Sequence, residues 1–260
     1  MQYKDFSRCS WLSIAVVAFT LSACGGGGDA GTTATTAATT QPQGVYSGTL
    51  TGSSSSAFEL LVLENDEYWS VYGTSTPGAF LVAGFIQGQG ASTSTTFTSS
   101  NAKDFGTVPA TAGTISATYV ANASISGTIA ATTGNVTFSG APIISSTYDY
   151  NAAASLASIT GAWTLTALDA SVINLTIAGN GAIAGSTGGC AFTGTITPRA
   201  SGKNVFNTSV TFGAAPCVLA GQTATGIGLT YLLAGGATRQ FVIAGVDATR
   251  TSGTALFGTR

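Results

Sequence analysis

Apolar residues in this chain recur at every second position in short runs, and no stretch sustains the three-to-four spacing of an amphipathic helix. Phe58-Glu59-Leu60-Leu61-Val62-Leu63-Glu64 and Tyr68-Trp69-Ser70-Val71-Tyr72 flank the polar Asn65-Asp66-Glu67, which reads as a hairpin. Further strands are predicted at 44–52, 79–87, 93–98, 114–120, 123–130 and 134–139, each bounded by Gly, Ser, Asn or Pro. A second set follows at 161–168, 171–178, 181–185, 190–197, 205–212, 224–233, 238–245 and 252–258. Each half thus has about eight strands, and an antiparallel sheet of that size hides its edges most completely by closing on itself. The expected fold class is all-β, with two tandem antiparallel β-barrel-like domains of about eight strands each.

The two halves are written alike. Gly161-Ala162-Trp163 opens the second as Gly44-Val45-Tyr46 opens the first, and Ile173-x-Leu175-x-Ile177 follows as Phe58-x-Leu60-x-Val62 does. Phe212 is set against Phe97, and the closing Gly253–Gly258 against Gly134–Gly140. We place the first domain at 44–140, a linker at 141–158 and the second domain at 159–260. The linker's Asn151–Ser158 part is expected to form two helical turns behind an Asn cap.

The chain ahead of these strands is an address and a tether. Lys4 and Arg8 precede the apolar run Trp11–Leu21, about half the length needed to cross a bilayer. A basic start, a short apolar core and small residues at the cut site make residues 1–23 a signal peptide. Leu21-Ser22-Ala23-Cys24 resembles the lipobox of bacterial lipoproteins, which implies that Cys24 carries lipid and becomes the first mature residue. Gly25 in the next position, by resemblance to Gram-negative sorting, implies the outer membrane, on its periplasmic or cell-surface face. Residues 24–43 (after the Cys, GGGGDAGTTATTAATTQPQ) hold no aromatic or large aliphatic side chain and read as a disordered linker. About 19 such residues reach roughly 20–25 Å. A lipobox followed by a glycine run resembles the start of surface-displayed lipoproteins, transferrin-binding protein B relatives among them. Two or three acyl chains, palmitate among them, exceed what stable anchoring needs.

Charged residues are only 7% of the chain, against the usual quarter or so, so hydroxyls and small groups must cover the surface. Nothing resembles a basic patch able to neutralise a phosphate backbone, which argues against nucleic acid as a partner. The first half holds Lys103 against Glu59, Glu64, Asp66, Glu67, Asp104 and Asp149; the second holds Arg199, Lys203, Arg239, Arg250 and Arg260 against Asp169 and Asp247. Opposite signs of this kind dock two halves together or present two different faces to partners. With Cys9 in the signal peptide and Cys24 lipidated, Cys190 and Cys217 remain and are expected to form a disulfide in an oxidising compartment.

The chain contains no His, which rules out Ser–His–Asp and Cys–His arrangements and removes the commonest nitrogen ligand of zinc. Glu64, Asp66 and Glu67 cluster in the predicted hairpin loop, where solvation is the simplest role, and no metal or cofactor is expected. Gly179–Gly185 has glycines at phosphate-loop-like spacing but no helix after it. Two candidate binding features remain. Tyr68 and Tyr72 lie on one side of a strand and Trp69 on the other, so that one aromatic face meets a ligand or the second domain. Arg199 and Lys203 lie in the turn Thr197–Asn204, taken to sit close to the Cys190–Cys217 bridge and to offer a braced, cationic contact surface.

Gly161-x-Trp163 resembles the first-strand Gly-x-Trp of lipocalins, which implies a Trp plugging the barrel floor under a late Arg, here Arg250. These features lead to the expectation of a membrane-anchored, non-enzymatic binding or surface-interaction module, held by its lipid and meeting an unidentified protein or a small apolar ligand. A lipocalin-like carrier of a small apolar ligand is the alternative, and a hydrolase using carboxylates is a third reading. Oligomeric state is not encoded in any of these features.

Overall fold

The computed structural model describes residues 41–76, 79–132, 134–143, 147–233 and 236–260. The signal peptide, the lipobox with Cys24 and nearly all of the tether lie outside the described residues.

The first barrel is built from β1 (Gly44–Thr51), β2 (Ala57–Val62), β3 (Glu67–Thr76), β4 (Ala79–Gln89), β5 (Ala91–Ser92), β6 (Thr96–Asp104), β7 (Thr111–Val120), β8 (Ser124–Ala131) and β9 (Gly134–Pro142). Each strand pairs antiparallel with its neighbour, β1 pairs with β9, and β4 closes on β6 through Ile86–Asp104 and Gln87–Lys103. This makes a ring of eight, with β5 a two-residue spur on β6. The second barrel, β10 (Gly161–Ala167), β11 (Val172–Ile177), β12 (Ala182–Thr187), β13 (Cys190–Pro198), β14 (Phe206–Phe212), β15 (Thr223–Leu232), β16 (Arg239–Asp247) and β17 (Gly253–Thr259), closes by β10 pairing with β17. The fold is therefore two closed, eight-stranded antiparallel barrels in tandem.

Alternation decides what each barrel encloses. Tyr46, Phe58, Leu60, Val62, Tyr68 and Phe97 point into the first, and Trp163, Leu165, Ile173, Leu175, Ile177 and Phe241 into the second. The opening hairpins share one register: Tyr46 faces Leu60 across β1–β2 as Trp163 faces Leu175 across β10–β11. The later correspondences differ from expectation. Phe206, at the start of β14 and wholly buried, holds the place in the second barrel that Phe97 holds in the first; Phe212 ends that strand instead. Phe138 points inward whereas Phe257 packs outward.

A third apolar cluster lies between the barrels. The outward residues Leu61 of β2, Trp69 and Val71 of β3 and Phe85 of β4 pack with Ile227 of β15 and Val242, Ala244 and Val246 of β16. Those strands are apolar on both faces, which is why Phe58–Leu63 breaks strict alternation. Trp69 stacks on Phe85 at 6.1 Å and Phe85 on Phe105 at 4.7 Å. Polar contacts frame the patch: Arg199 Nε donates to Glu64 Oε1 at 2.8 Å, the Tyr231 hydroxyl to Glu59 Oε2 at 3.2 Å, and the Tyr148 hydroxyl to the Asn204 carbonyl. Among the described residues the opposite charges of the halves thus meet in one ion pair across the junction.

Two expectations are corrected here. Residues Asn151–Ser158 contain a single 3-10 turn, Leu156–Ser158, capped by no side chain. Asn151 is occupied elsewhere: its Oδ1 accepts from Lys203 Nζ at 2.9 Å while its amide bonds Asp149 Oδ1. The Cys190–Cys217 disulfide forms, but at the opposite end of β13 from Arg199 and Lys203, roughly 25 Å away at the usual rise per residue.

Phe85 belongs to neither barrel interior, so its truncation reads the junction alone. Phe85→Ala is expected to cost about 3–5 kcal/mol in urea unfolding; a loss below about 1 kcal/mol would mean that the barrels do not depend on this face.

Candidate functional site

The first barrel is filled at one end and hollow at the other. Around its chain-entry end Tyr46, Phe97, Tyr119 and Ile125 are 1–4% exposed, and Tyr68 meets Phe97 edge to face at 5.6 Å. Above them a cavity of about 320 Å³ reaches the end formed by the β1–β2 and β6–β7 turns. Leu50, Phe58, Ile86, Ile115, Ile129 and Phe138 supply the apolar part of its wall, Tyr68, Ser70, Tyr72 and Asp104 a polar part, and Ser53–Ser55 the rim. This size lies at the lower end of the range for small-molecule sites, roughly twice that of a cavity that holds benzene.

One polar cluster projects into that space. The Tyr72 hydroxyl donates to Asp104 Oδ1 at 2.6 Å, and the Gly106 amide donates to the same oxygen at 2.8 Å. Burial, and then this bond to a carboxylate, push the Tyr72 phenol well above its ordinary pKa, so it stays a donor. Room for the phenol comes from glycine: a Cβ on Gly84 would lie 2.3 Å, and one on Gly106 1.9 Å, from its hydroxyl. Below, the Tyr68 hydroxyl donates to Ser99 Oγ at 2.9 Å, which in turn donates to the Gln89 carbonyl.

Asp104 faces inward because β6 is bulged. Ser99 pairs with Ile115 and Ala102 with Gly113, so three residues of β6 oppose two of β7. Strict alternation from Phe97 and Ser99 would turn Lys103 inward; the extra residue turns Ala102 and Asp104 inward instead. A second bulge between Tyr72 and Gly73 of β3 inserts Ala83 into β4 at the cavity wall and sends Val82 and Phe80 out to the junction. The second barrel braces the first of these bulges. Arg250 Nη2 donates to the Gln87 carbonyl at 2.7 Å and the Asn101 carbonyl at 2.8 Å. Arg250 adopts φ 55° in a turn that the buried Asp247 organises by accepting from the amides of Thr251 and Ser252 at 2.8 and 2.7 Å.

Arg250 is therefore not the residue that covers Trp163. Arg260 is: its guanidinium lies 4.0 Å above the indole ring, whose Nε1 donates to the Ile159 carbonyl at 2.6 Å. An arginine thus does cover Trp163, one strand-end later than expected, and the two eight-stranded barrels are consistent with a lipocalin-like barrel. Behind Trp163 lies an apolar cluster in which Ile159, Leu165, Ile196, Phe206 and Phe241 are wholly buried.

The remaining sequence candidates are distributed as follows. Tyr68 and Tyr72 point into the first barrel and Trp69 into the junction, so no aromatic face of β3 is turned to solvent. Arg199 pairs with Glu64, and Lys203 lies 5.1 Å from the Tyr150 ring centre beside Asn151; both serve the intramolecular junction. The hairpin carboxylates part company, Glu64 to Arg199, Asp66 to Ser92 and Glu67 to Trp69 Nε1. Among the described residues no three acidic or Cys side chains gather as metal ligands. Asn180 and Gly181 make the β11–β12 turn. A smaller cavity of about 130 Å³ adjoins Tyr46, whose buried hydroxyl has no hydrogen-bond partner and whose pKa burial and Tyr119 push up to about 12. Comparison with protein-family models, curated proteins and solved structures returns no match, so no role is carried over from a relative.

Two carboxylates give opposite pH responses. Glu59 keeps a strip of exposed surface, yet apolar neighbours crowd it at the junction and raise its pKa against the smaller, opposing effect of Tyr231. Its folded form prefers the proton, so this contribution is greatest at low pH and is lost as pH rises from the ordinary carboxylate range through the raised value. Asp247 has its pKa lowered to about 2: desolvation works against the charge, but bonds from Thr249, Ser252 and Thr251 outweigh it. Its contribution is complete above the ordinary value near 3.8 and is lost toward pH 2. Asp247→Asn is expected to cost about 1–3 kcal/mol at pH 7 and to flatten the acid limb of a stability–pH profile, whereas Glu59→Gln flattens the decline on the neutral side.

Proposed function

We propose that this chain is a lipid-anchored outer-membrane protein that binds a small, largely apolar molecule inside its first barrel and performs no catalysis. The observation that carries the reading is the cavity at one end of the first barrel. The cavity of about 320 Å³ combines hydrocarbon wall with a few hydrogen-bonded polar groups, Tyr72 on Asp104 and Tyr68 on Ser99, the usual make-up of a small-molecule site. A protein-contact role for Arg199 and Lys203 has less support, since the junction already engages both. The non-enzymatic reading rests on the lack of His and on carboxylates held by separate partners. The anchoring part rests on Leu21-Ser22-Ala23-Cys24, and a lipid on Cys24 would keep the barrel near a membrane from which apolar ligands partition.

Two measurements test this. Cells given radioactive palmitate should label the wild-type chain and not Cys24→Ala; equal labelling of both would remove the anchor. Purified full-length protein should enhance the fluorescence of a naphthalene-based apolar probe saturably. Ser70→Phe, which places a ring in the cavity between Tyr68 and Tyr72, should weaken that binding at least tenfold. Unchanged probe affinity in this variant, with its fold intact by circular dichroism, would place the ligand elsewhere.

A further inference from the structure

The lining of the first-barrel cavity includes one carboxylate, Asp104, while the cation that acts on the lining residue Tyr68, Arg250, stays outside the lining with its guanidinium on the Gln87 and Asn101 carbonyls. Among its lining residues Asp104 is the only charged one, and the ion pair recorded among the described residues is Glu64–Arg199, far from it in the chain and on the outer face. Both hydrogen bonds that Asp104 accepts, from Tyr72 and Gly106, fall on Oδ1, which leaves Oδ2 without a described partner. The Tyr72 proton is committed to Asp104 and the Tyr68 proton to Ser99, so these phenols offer a ligand oxygen lone pairs rather than free donors. Ser53–Ser55 at the rim add hydroxyls but no positive charge. The polar end of this site is thus built to accept hydrogen bonds and positive charge, while the rest of the wall accepts hydrocarbon.

Backbone construction points the same way. A strand without the β6 bulge would turn Lys103 inward and Asp104 outward, reversing the sign of the interior. The bulge is held by Arg250 of the second barrel through the Asn101 carbonyl, and Gln89 donates its amide to Asn101 Oδ1 at 2.8 Å. Bulges beside sites commonly re-aim a single side chain, and here the side chain re-aimed is the carboxylate.

Resting on the reading of this cavity as a ligand site, we infer that its ligand is a small amphiphilic amine: a hydrocarbon body of about one ring or a short chain, bearing a protonated nitrogen that donates to Asp104 Oδ2. A charge pair of this kind in a largely apolar cavity is less screened than at the surface, so the amine gains over a neutral isostere.

The test is a matched series titrated into the full chain by calorimetry: 4-phenylbutylamine, 4-phenylbutan-1-ol and 4-phenylbutanoate, which share one body and differ in charge. The amine should bind at least tenfold more tightly than the alcohol, and the acid at least tenfold more weakly than the alcohol. In Asp104→Asn, whose carbonyl still accepts from Tyr72 and Gly106, the amine should fall to the affinity of the alcohol while the alcohol is unchanged. An alcohol or acid that binds the wild-type chain as well as the amine does, or an amine indifferent to Asp104→Asn, would overturn the inference and leave the cavity a ligand site. Failure of all three, together with failure of the naphthalene probe, would overturn the ligand site itself.

Discussion

The structure depends on strands that are apolar on both faces. In β2, β3, β4, β15 and β16 the inward residues fill a barrel and the outward ones, Leu61, Trp69, Phe85, Val242 and Val246 among them, must be covered by something other than their own interior. With charged residues so scarce, little polar surface is available to cover such faces, and each barrel supplies the cover for the other. Glu59, Glu64, Tyr148, Arg199 and Arg250 then make hydrogen bonds and an ion pair around that contact. This junction consumes residues that look, one at a time, like a binding surface.

Docking also gives the second barrel a task at its outer face. Its β16–β17 turn, drawn tight by Asp247, carries Arg250 onto the carbonyls of Gln87 and Asn101, next to the seam where β4 and β6 close the first barrel. That seam contains both bulges, and the cavity lies behind it. One barrel thus works as a brace for the other, at the point where the bulged strands β4 and β6 meet.

Much of this organisation is legible in the residue pattern. Phe58-x-Leu60-x-Val62 and Ile173-x-Leu175-x-Ile177 announce matched second strands, and the paired openings at Gly44 and Gly161 hold the same register in both barrels. The disulfide follows from counting thiols, and the placement of Trp69 opposite Tyr68 and Tyr72 already raises the choice between a ligand face and a domain contact. Asp104 is not legible, for a specific reason. Ser99-Ser100-Asn101 reads as the end of a strand, so the strand expected at 93–98 stops short of residues that continue it to Asp104. Period-two reasoning carried onward would have put Lys103 inside, because one inserted residue reverses every later side chain. Arg260 in place of Arg250 is the same kind of error on a smaller scale: the turn after Asp247 takes a left-handed residue and swings the first arginine outward.

The proposed ligand would enter the first barrel and not the second. Methyl-resolved NMR of the full chain, titrated with a small apolar amine, reads that directly, because isoleucine and valine methyls line both interiors. Resonances of Ile115, Ile129 and Val136 should shift while those of Ile173, Ile177 and Ile183 stay fixed. Shifts confined to the second barrel or to the junction methyls of Val242 and Val246, or no shifts at all, would contradict it.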